Sequence, residues 1–405
     1  MRQPPPCLPD AMIQRNGFLL LDAIAEVPAA AWDALHDGQP CTRHAFLELL
    51  ERSGCVGPRT GWLPHHATLW RNGTLVAAMP LYEKHHSFGE YVFDWAWAEA
   101  YERAGLDYYP KWVAAIPFTP VPGARLLAAD GDARRRLLDE VLALAARTGW
   151  SSFHLLLPRV EETSVLVDAG LMLRRGVQFH WENRGYGVFA DFLAALNHAK
   201  RKKIRQERSR AGAHGLTTRW LDGGEAMPAD WRFFYRCYAR TYALHRSTPY
   251  LSEDFFVELA RNIPEAVRLL IAERDGLPVA AAFFLCDREA LYGRYWGAQE
   301  DLPFLHFELC YYQAIEYCIA QGLQRFEGGA QGEHKLSRGL LPVETCSAHW
   351  IADARFRDAV DRYLARERDG IGFYLDELEE RSPFRATSRS APHSARGAQD
   401  REREE

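Results

Sequence analysis

The chain has 405 residues, of which 47% are hydrophobic and 25% charged, and it carries a formal net charge of −5. That length is material for about two to three domains with real cores, in an ordinary globular composition. A mildly acidic sequence excludes a global basic field that would draw the whole molecule onto nucleic acid or membrane, so any such contact must be local.

The eight cysteines (7, 41, 55, 237, 286, 310, 318 and 346) show no Cys-x-x-Cys and no His/Cys ligand spacing. They read as small core residues of a reducing compartment. The opening MRQPPPCLPDAMIQ has no charged-then-apolar signal pattern, and no uninterrupted apolar run approaches the ~18 residues of a membrane helix. No membrane span and a cytoplasmic location are therefore expected.

In chain order, residues 18–32 read as a strand entering a helix, and 44–53 as a helix with apolar positions 46, 47, 49 and 50 among charges. Between 65 and 84 two β-rich runs flank Asn72-Gly73, a hairpin signal because both central turn residues accept positive φ. GEYVFDWAW (89–97) is expected as a third strand. Prolines 110, 117, 120 and 122 exclude a regular helix from 108–127. A helix returns over 133–147 and feeds a strand at 153–158. The second half repeats the order, with strands around Asp275-Gly276 within 268–286 and a third, LYGRYWGA, at 291–298. The two turns lie about half a chain apart, and LVAAMPLYEK and PVAAAFFLC are alike in character, which suggests an internal duplication.

Between the halves, 189–213 begins as an amphipathic helix. It continues through Lys200, Arg201, Lys202, Lys203, Arg205, Arg208 and Arg210, opposed only by Glu207. Helices follow at 231–244 and 252–261, the latter with Ser252 as its N-cap. Past Asp358 a polar amphipathic helix pair runs to Pro383. The last residues lack aromatic and large aliphatic side chains and are expected to be disordered.

The chemistry concentrates in 291–341. The helix over 304–321 is apolar on most sides and therefore buried; on it Glu308, Tyr312 and Glu316 share one face. A carboxylate in such surroundings has its pKa raised toward the range of a general base, so Glu308 is a candidate base. The alternative is a glutamate at the rim or paired with an arginine. The following loop holds Glu327, Gly328, Gly329, Gln331, Gly332, Glu333, His334 and Lys335, with Arg338 just beyond. Its glycines let the backbone approach a ligand and offer N–H groups to an oxyanion. Glu333 and His334 are candidate acids or bases, and Lys335 and Arg338 candidate anion clamps; the alternative is a solvated surface turn. Tyr295 and Trp296, on the strand that precedes the helix, complete the expected set. The basic run, through Arg201, Lys202 and Arg205, reads either as a phosphate-binding strip or as a solvated helix face. His65-His66 and His85-His86 have no converging carboxylate or cysteine at ligand spacing, so no metal is expected; phosphate-loop and dinucleotide fingerprints are absent too.

Long strings of this sequence resemble the FemAB-like proteins of the GNAT acyltransferase superfamily. They are YGVFADFLAALNHAKRKKIRQERSRA, LHRSTPYLSEDFF and RYWGAQEDLPFLHFELCYYQAIEYCIAQGLQRFEGGAQGEHKLSRGLLPVETCSAHW, with YPKWVAAIPFTPVPGARLL in the first half. The resemblance covers residues 15–385. It implies an α/β fold of two tandem GNAT-like domains, mixed sheets flanked by helices. Their expected spans are 1–165 and 166–385, with the basic helix opening the second and a tail at 386–405. The activity implied is transfer of an acyl or aminoacyl group to an amine of a small molecule or peptide, in the wider group a cell-wall precursor. No tightly bound cofactor is implied, and the donor is open between acyl-CoA and aminoacyl-tRNA. The helical-hairpin arm of some Fem-type enzymes has no counterpart. Gly297-Ala298-Gln299-Glu300-Asp301-Leu302-Pro303 stands where an acyl-CoA loop would be. Two other functions stay open: recognition of a cell-wall precursor without chemistry, and RNA binding through residues 200–210.

Overall fold

A computed structural model describes residues 15–36, 38–330 and 332–385. The expected tail at 386–405, Cys7 and Gln331 lie outside the described residues. The fold is mixed α/β, and its centre is a sheet of eleven strands running through both halves of the chain. From one edge the order is Leu216–Asp222, Val267–Arg274, Leu277–Cys286, Ala290–Ala298, Arg325–Glu327 and Met172–Glu182. It continues through Leu341–Ile351, Ser152–Leu156, Lys111–Ala114 and Leu81–Lys84 to Trp62–Pro64. A four-stranded sheet, Gly17–Leu21, His66–Arg71, Thr74–Met79 and Leu127–Ala128, packs in the first half.

The two hairpins form where expected, with Asn72 at φ +51° and Asp275 at φ +52° in the left-handed region the turns demand. Each half then builds one parallel strand pair joined by a helix. Lys111–Ala114 runs parallel to Ser152–Leu156 across the helix Gly131–Thr148, which Asp130 caps by accepting from the Ala133 N–H at 2.7 Å. Ala290–Ala298 runs parallel to Arg325–Glu327 across the helical segment from Leu305 to Gln321.

Three expectations are corrected. Residues 89–97 form no strand: Gly89 and Tyr91 take φ of +83° and +62°, Glu90 and Asp94 turn inward, and a helix, Trp95–Arg103, begins. The basic segment is two helices, Phe189–Ala195 and His198–Gly212, because Asn197 caps the second one by accepting from the Lys200 N–H at 3.0 Å. The helix pair near the end is one helix, Ala354–Glu380. Gly370 and Gly372 cost it about 1 kcal/mol each, while burial of Val360, Leu364 and Leu378 holds it down. No described helix is long and apolar enough to cross a membrane.

One hydrophobic core spans the two halves. Phe46 meets Phe255 edge-on at 5.6 Å, and Phe118 stacks on Tyr250 at 4.8 Å. The strand Leu341–Ile351 joins the halves a second way. It pairs with Met172–Glu182 from Leu341 to His349, and with Ser152–Leu156 from Ser347 to Ile351. Under that seam lies a buried polar chain. Lys111 donates to Ser87 Oγ at 2.8 Å, Glu90 Oε2 at 2.9 Å and Asp94 Oδ2. Tyr108 gives its only proton to Asp94 at 2.6 Å, so the His154 Nε2–H donates to Tyr108 (3.0 Å) and Ser152 (2.8 Å). His154 Nδ1 then accepts from the His349 Nδ1–H at 2.7 Å, and Ser347 donates to His349 Nε2. Both imidazoles are neutral, burial pushing His154 to about 3 and His349 well below the ordinary value.

Candidate active site

In the second half the parallel pair holds for three residues, Ala290 to Tyr292 against Arg325 to Glu327, and then splays. Past the splay one strand carries a bulge, with Phe284 opposite Gly293 and Phe283 opposite Tyr295, so that Arg294 is the extra residue. The other strand gives way to the glycine loop, where Gly329 and Gly332 take φ of +87° and +115°, conformations that suit glycine alone.

On one side of the splay, between the halves, lies a cavity of about 1640 Å³. The second half contributes His180, Arg268, Tyr292, Arg325 and Glu327, and the first half closes it with 158–161, Thr163 and Arg43. Glu327 is buried at the foot of this cavity. Its Oε1 accepts from Arg325 Nε at 2.9 Å, while Oε2 has no hydrogen-bond partner, His180 Nε2 standing 3.9 Å away. Burial raises the Glu327 carboxyl to about 7, outweighing the pull of Arg325. Gln178 donates its amide to Pro120 O at 2.8 Å, so its oxygen accepts from the His180 Nε2–H at 3.2 Å, which fixes that tautomer. Burial first, then Arg325 and Lys335, press His180 down to about 3, so the imidazole is neutral. Tyr292 donates to Asp287 Oδ2 at 2.6 Å.

Just beyond the splay, Trp296 lies against His306 at 4.5 Å, and Tyr311 meets His334 Nε2 at 3.0 Å. Lys335 is buried, with Nζ donating to Gly329 O at 2.8 Å; burial lowers its amine to about 8. His334 is held below its ordinary value by desolvation and by Arg338 and Lys335. Gly328, Gly329, Gly332, His334 and Lys335 are thus brought together beside Glu327. Tyr295 and Trp296, as consecutive strand residues, point to opposite faces, Tyr295 packing with the core shared by the two halves.

The remaining expected residues go elsewhere. Glu308, in a π-helical stretch Glu308–Tyr312, is gripped by Arg208 at 2.9–3.2 Å, and the same guanidinium reaches Glu316 at 2.8 Å. The ion-paired alternative is the one seen. Arg338 donates to both oxygens of Glu207 at 2.9 Å, and Tyr312 hydrogen-bonds the same carboxylate. Neither faces the cavity. Glu333 accepts from Tyr374 at 2.9 Å on the last helix. Arg201, Lys202 and Arg205 line a shallow groove of about 480 Å³ along their own helix with His198, Gln206 and Ser209. His180, Tyr292 and Arg325 were missed. They sit on strands whose polar residues face a cavity, so hydrophobic alternation gave no sign of them.

A family model for FemAB-like proteins, described as peptidoglycan biosynthesis/recognition, matches residues 23–386. Among solved structures, FemX is similar at 11% identity, with 83% of this chain and 98% of that one covered and a TM-score of 0.52. The C-terminal domain of a putative lysylphosphatidylglycerol synthetase from Agrobacterium fabrum is similar at 12% identity, covering 85% and 97%, TM-score 0.51. L-PGS from Bacillus licheniformis is similar at 10% identity, covering 84% and 97%, TM-score 0.51. At such identities the likeness is one of fold. No curated protein matches the chain.

Proposed function

We propose, for a chain that belongs to the FemAB-like family, that it transfers an activated acyl or aminoacyl group to an amine, the acceptor entering the cavity between the halves. The acceptor class we favour is a cell-wall precursor peptide, in line with the family's description, and the place of action is the cytoplasm. The donor is an acyl thioester such as acyl-CoA or the ester of an aminoacyl-tRNA; the basic helix His198–Gly212 favours the RNA-borne one, since its exposed cations suit phosphates.

The observation that carries this reading is Glu327. An amine attacks only after losing a proton, and a carboxylate near pH 7 with one oxygen unpartnered is matched to take it. The amine nitrogen then bonds to the acyl carbon. The C–S or C–O bond to the carrier breaks as the tetrahedral oxyanion collapses, and the leaving thiolate or alkoxide takes up a proton. Lys335, still largely protonated at neutral pH, and the N–H groups of the glycine loop are the donors we assign to the oxyanion.

Glu327→Gln is expected to lower kcat by about a hundred- to ten-thousand-fold while acceptor affinity survives. In the wild type, kcat/KM should rise through about pH 7 as Glu327 deprotonates and fall again through about pH 8 as Lys335 loses its proton; the variant loses the rising limb. An unchanged rate in Glu327→Gln overturns the assignment. A second reading, recognition without transfer, is favoured by the ion pair that occupies Glu308. In that case acceptor binds and no donor ever turns over.

A further inference from the structure

At the bulge beside the splay, Arg294 is enclosed by the two halves yet has no carboxylate partner among the described residues. Its Nη2 donates to Phe118 O at 2.5 Å, Thr119 Oγ1 at 3.2 Å and the Tyr295 hydroxyl at 3.3 Å, all uncharged acceptors. No protein group among the described residues accepts from Nε or Nη1, and neither atom is sealed from solvent. The groups near the guanidinium include Cys41 and the hydroxyls of Tyr295, Tyr91 and Tyr242, which burial pushes up and so keeps neutral. Tyr250 extends this ring by its contact with Tyr242 at 5.8 Å. Arg294, Tyr91, Tyr242, Tyr250 and Tyr295 are each half-buried rather than sealed in the core.

A half-buried guanidinium stays charged at any pH the protein meets, and its Nε and Nη1 donors are left without a protein acceptor among the described residues. Glu327 feels its field but is committed to Arg325. Phe118 O needs no arginine either, because the Tyr295 hydroxyl already donates to it at 3.1 Å. The free N–H donors of this guanidinium match the geometry of an oxyanion.

We propose that Arg294 is a carboxylate-binding residue. On this view the half-buried guanidinium recognises the free carboxylate of an amino acid or peptide, with the neighbouring tyrosine rings against its carbon skeleton. This deepens the reading of the cavity as an amine-acceptor site and rests on it. It places the acceptor's acid on the bulge, one residue past the splay where Glu327 would meet its amine. Phosphate on the same guanidinium is the competing chemistry.

The test is binding and needs no turnover. The probes are the dipeptide Ala-Ala, its C-terminal amide, and inorganic phosphate, each titrated by thermal shift and calorimetry. Ala-Ala is expected to raise the melting temperature, and the amide to bind at least about tenfold more weakly. Arg294→Gln should abolish the Ala-Ala shift, while Glu327→Gln keeps it, so loss of the transfer reading leaves this result readable. Thr119→Asp, which places a carboxylate beside the guanidinium, should raise the melting temperature of the free protein and also abolish the shift. It serves as the deciding variant if Arg294→Gln does not fold. An amide that binds as well as the acid, phosphate that outcompetes Ala-Ala, or a shift that persists in these two variants overturns the proposal.

Discussion

Glu207 is the acid that stood alone in a run of seven cations, and the structure turns it inward rather than leaving it to balance them. It is buried, both its oxygens accept from Arg338 Nη2, and Tyr312 donates to it. Arg338 in turn lies 3.4 Å over the Phe307 ring and donates to His334 O at 2.7 Å. The carboxylate thus holds the base of the glycine loop against the basic helix. Glu207→Ala leaves Arg338 buried and uncompensated, and is expected to cost about 3–5 kcal/mol, read by urea denaturation; a loss below 1 kcal/mol would show that the network relaxes into solvent. Two residues that looked like ligand groups by sequence, Tyr312 and Arg338, serve here as a structural clasp. Their chemistry was legible and their partner was not, because Glu207 is about a hundred residues away in the chain.

Among elements, the strand Leu341–Ile351 carries the most consequence, and it is the one the sequence hid. Hairpins announced themselves through Asn72-Gly73 and Asp275-Gly276, and the helices through their apolar stripes. LPVETCSAHWI gives no clean alternation, because its buried positions include Ser347 and His349, which belong to the polar chain under the seam. The same holds for Met172–Glu182, whose inward residues include Gln178 and His180. A measurable effect follows from the histidine pair. His154 and His349 refuse protons when folded and accept them near pH 6.5 when unfolded. Their contribution to stability is thus complete above about pH 6.5 and drains as pH falls toward 3, by about 1.4 kcal/mol per pH unit for each ring. The groups facing the pair are Asp94, Lys111, Arg174, Tyr108, Ser152 and Ser347. Glu90, raised to about 7 by burial, works in the opposite sense between about 4.5 and 7, so the clean readout is a difference between proteins. His349→Gln should show a fall in stability from pH 6 to pH 5 that is shallower than wild type by about 1.4 kcal/mol. Parallel pH curves for the two proteins would remove the pair from this role.

At the scale of the molecule, the halves share a hydrophobic core and a sheet, and neither can open without exposing the other's surface. Calorimetry is expected to show one transition, with calorimetric and van't Hoff enthalpies equal. Two resolved transitions would mean that the halves melt as separate units. The same joined architecture sets the order in which a growing chain can complete itself. Met172–Glu182 and Ser152–Leu156 leave the ribosome well before Leu341–Ile351, the strand that must slot between them. At ordinary elongation rates the interval is roughly ten to thirty seconds. Until Arg325–Glu327 is made, both edges of Met172–Glu182 and one of Ser152–Leu156 stand open, each a template for the wrong neighbour. A nascent chain of this protein therefore depends on protection from self-association until its last strand arrives, and any early stop before residue 341 leaves it with a gap at the centre of its main sheet.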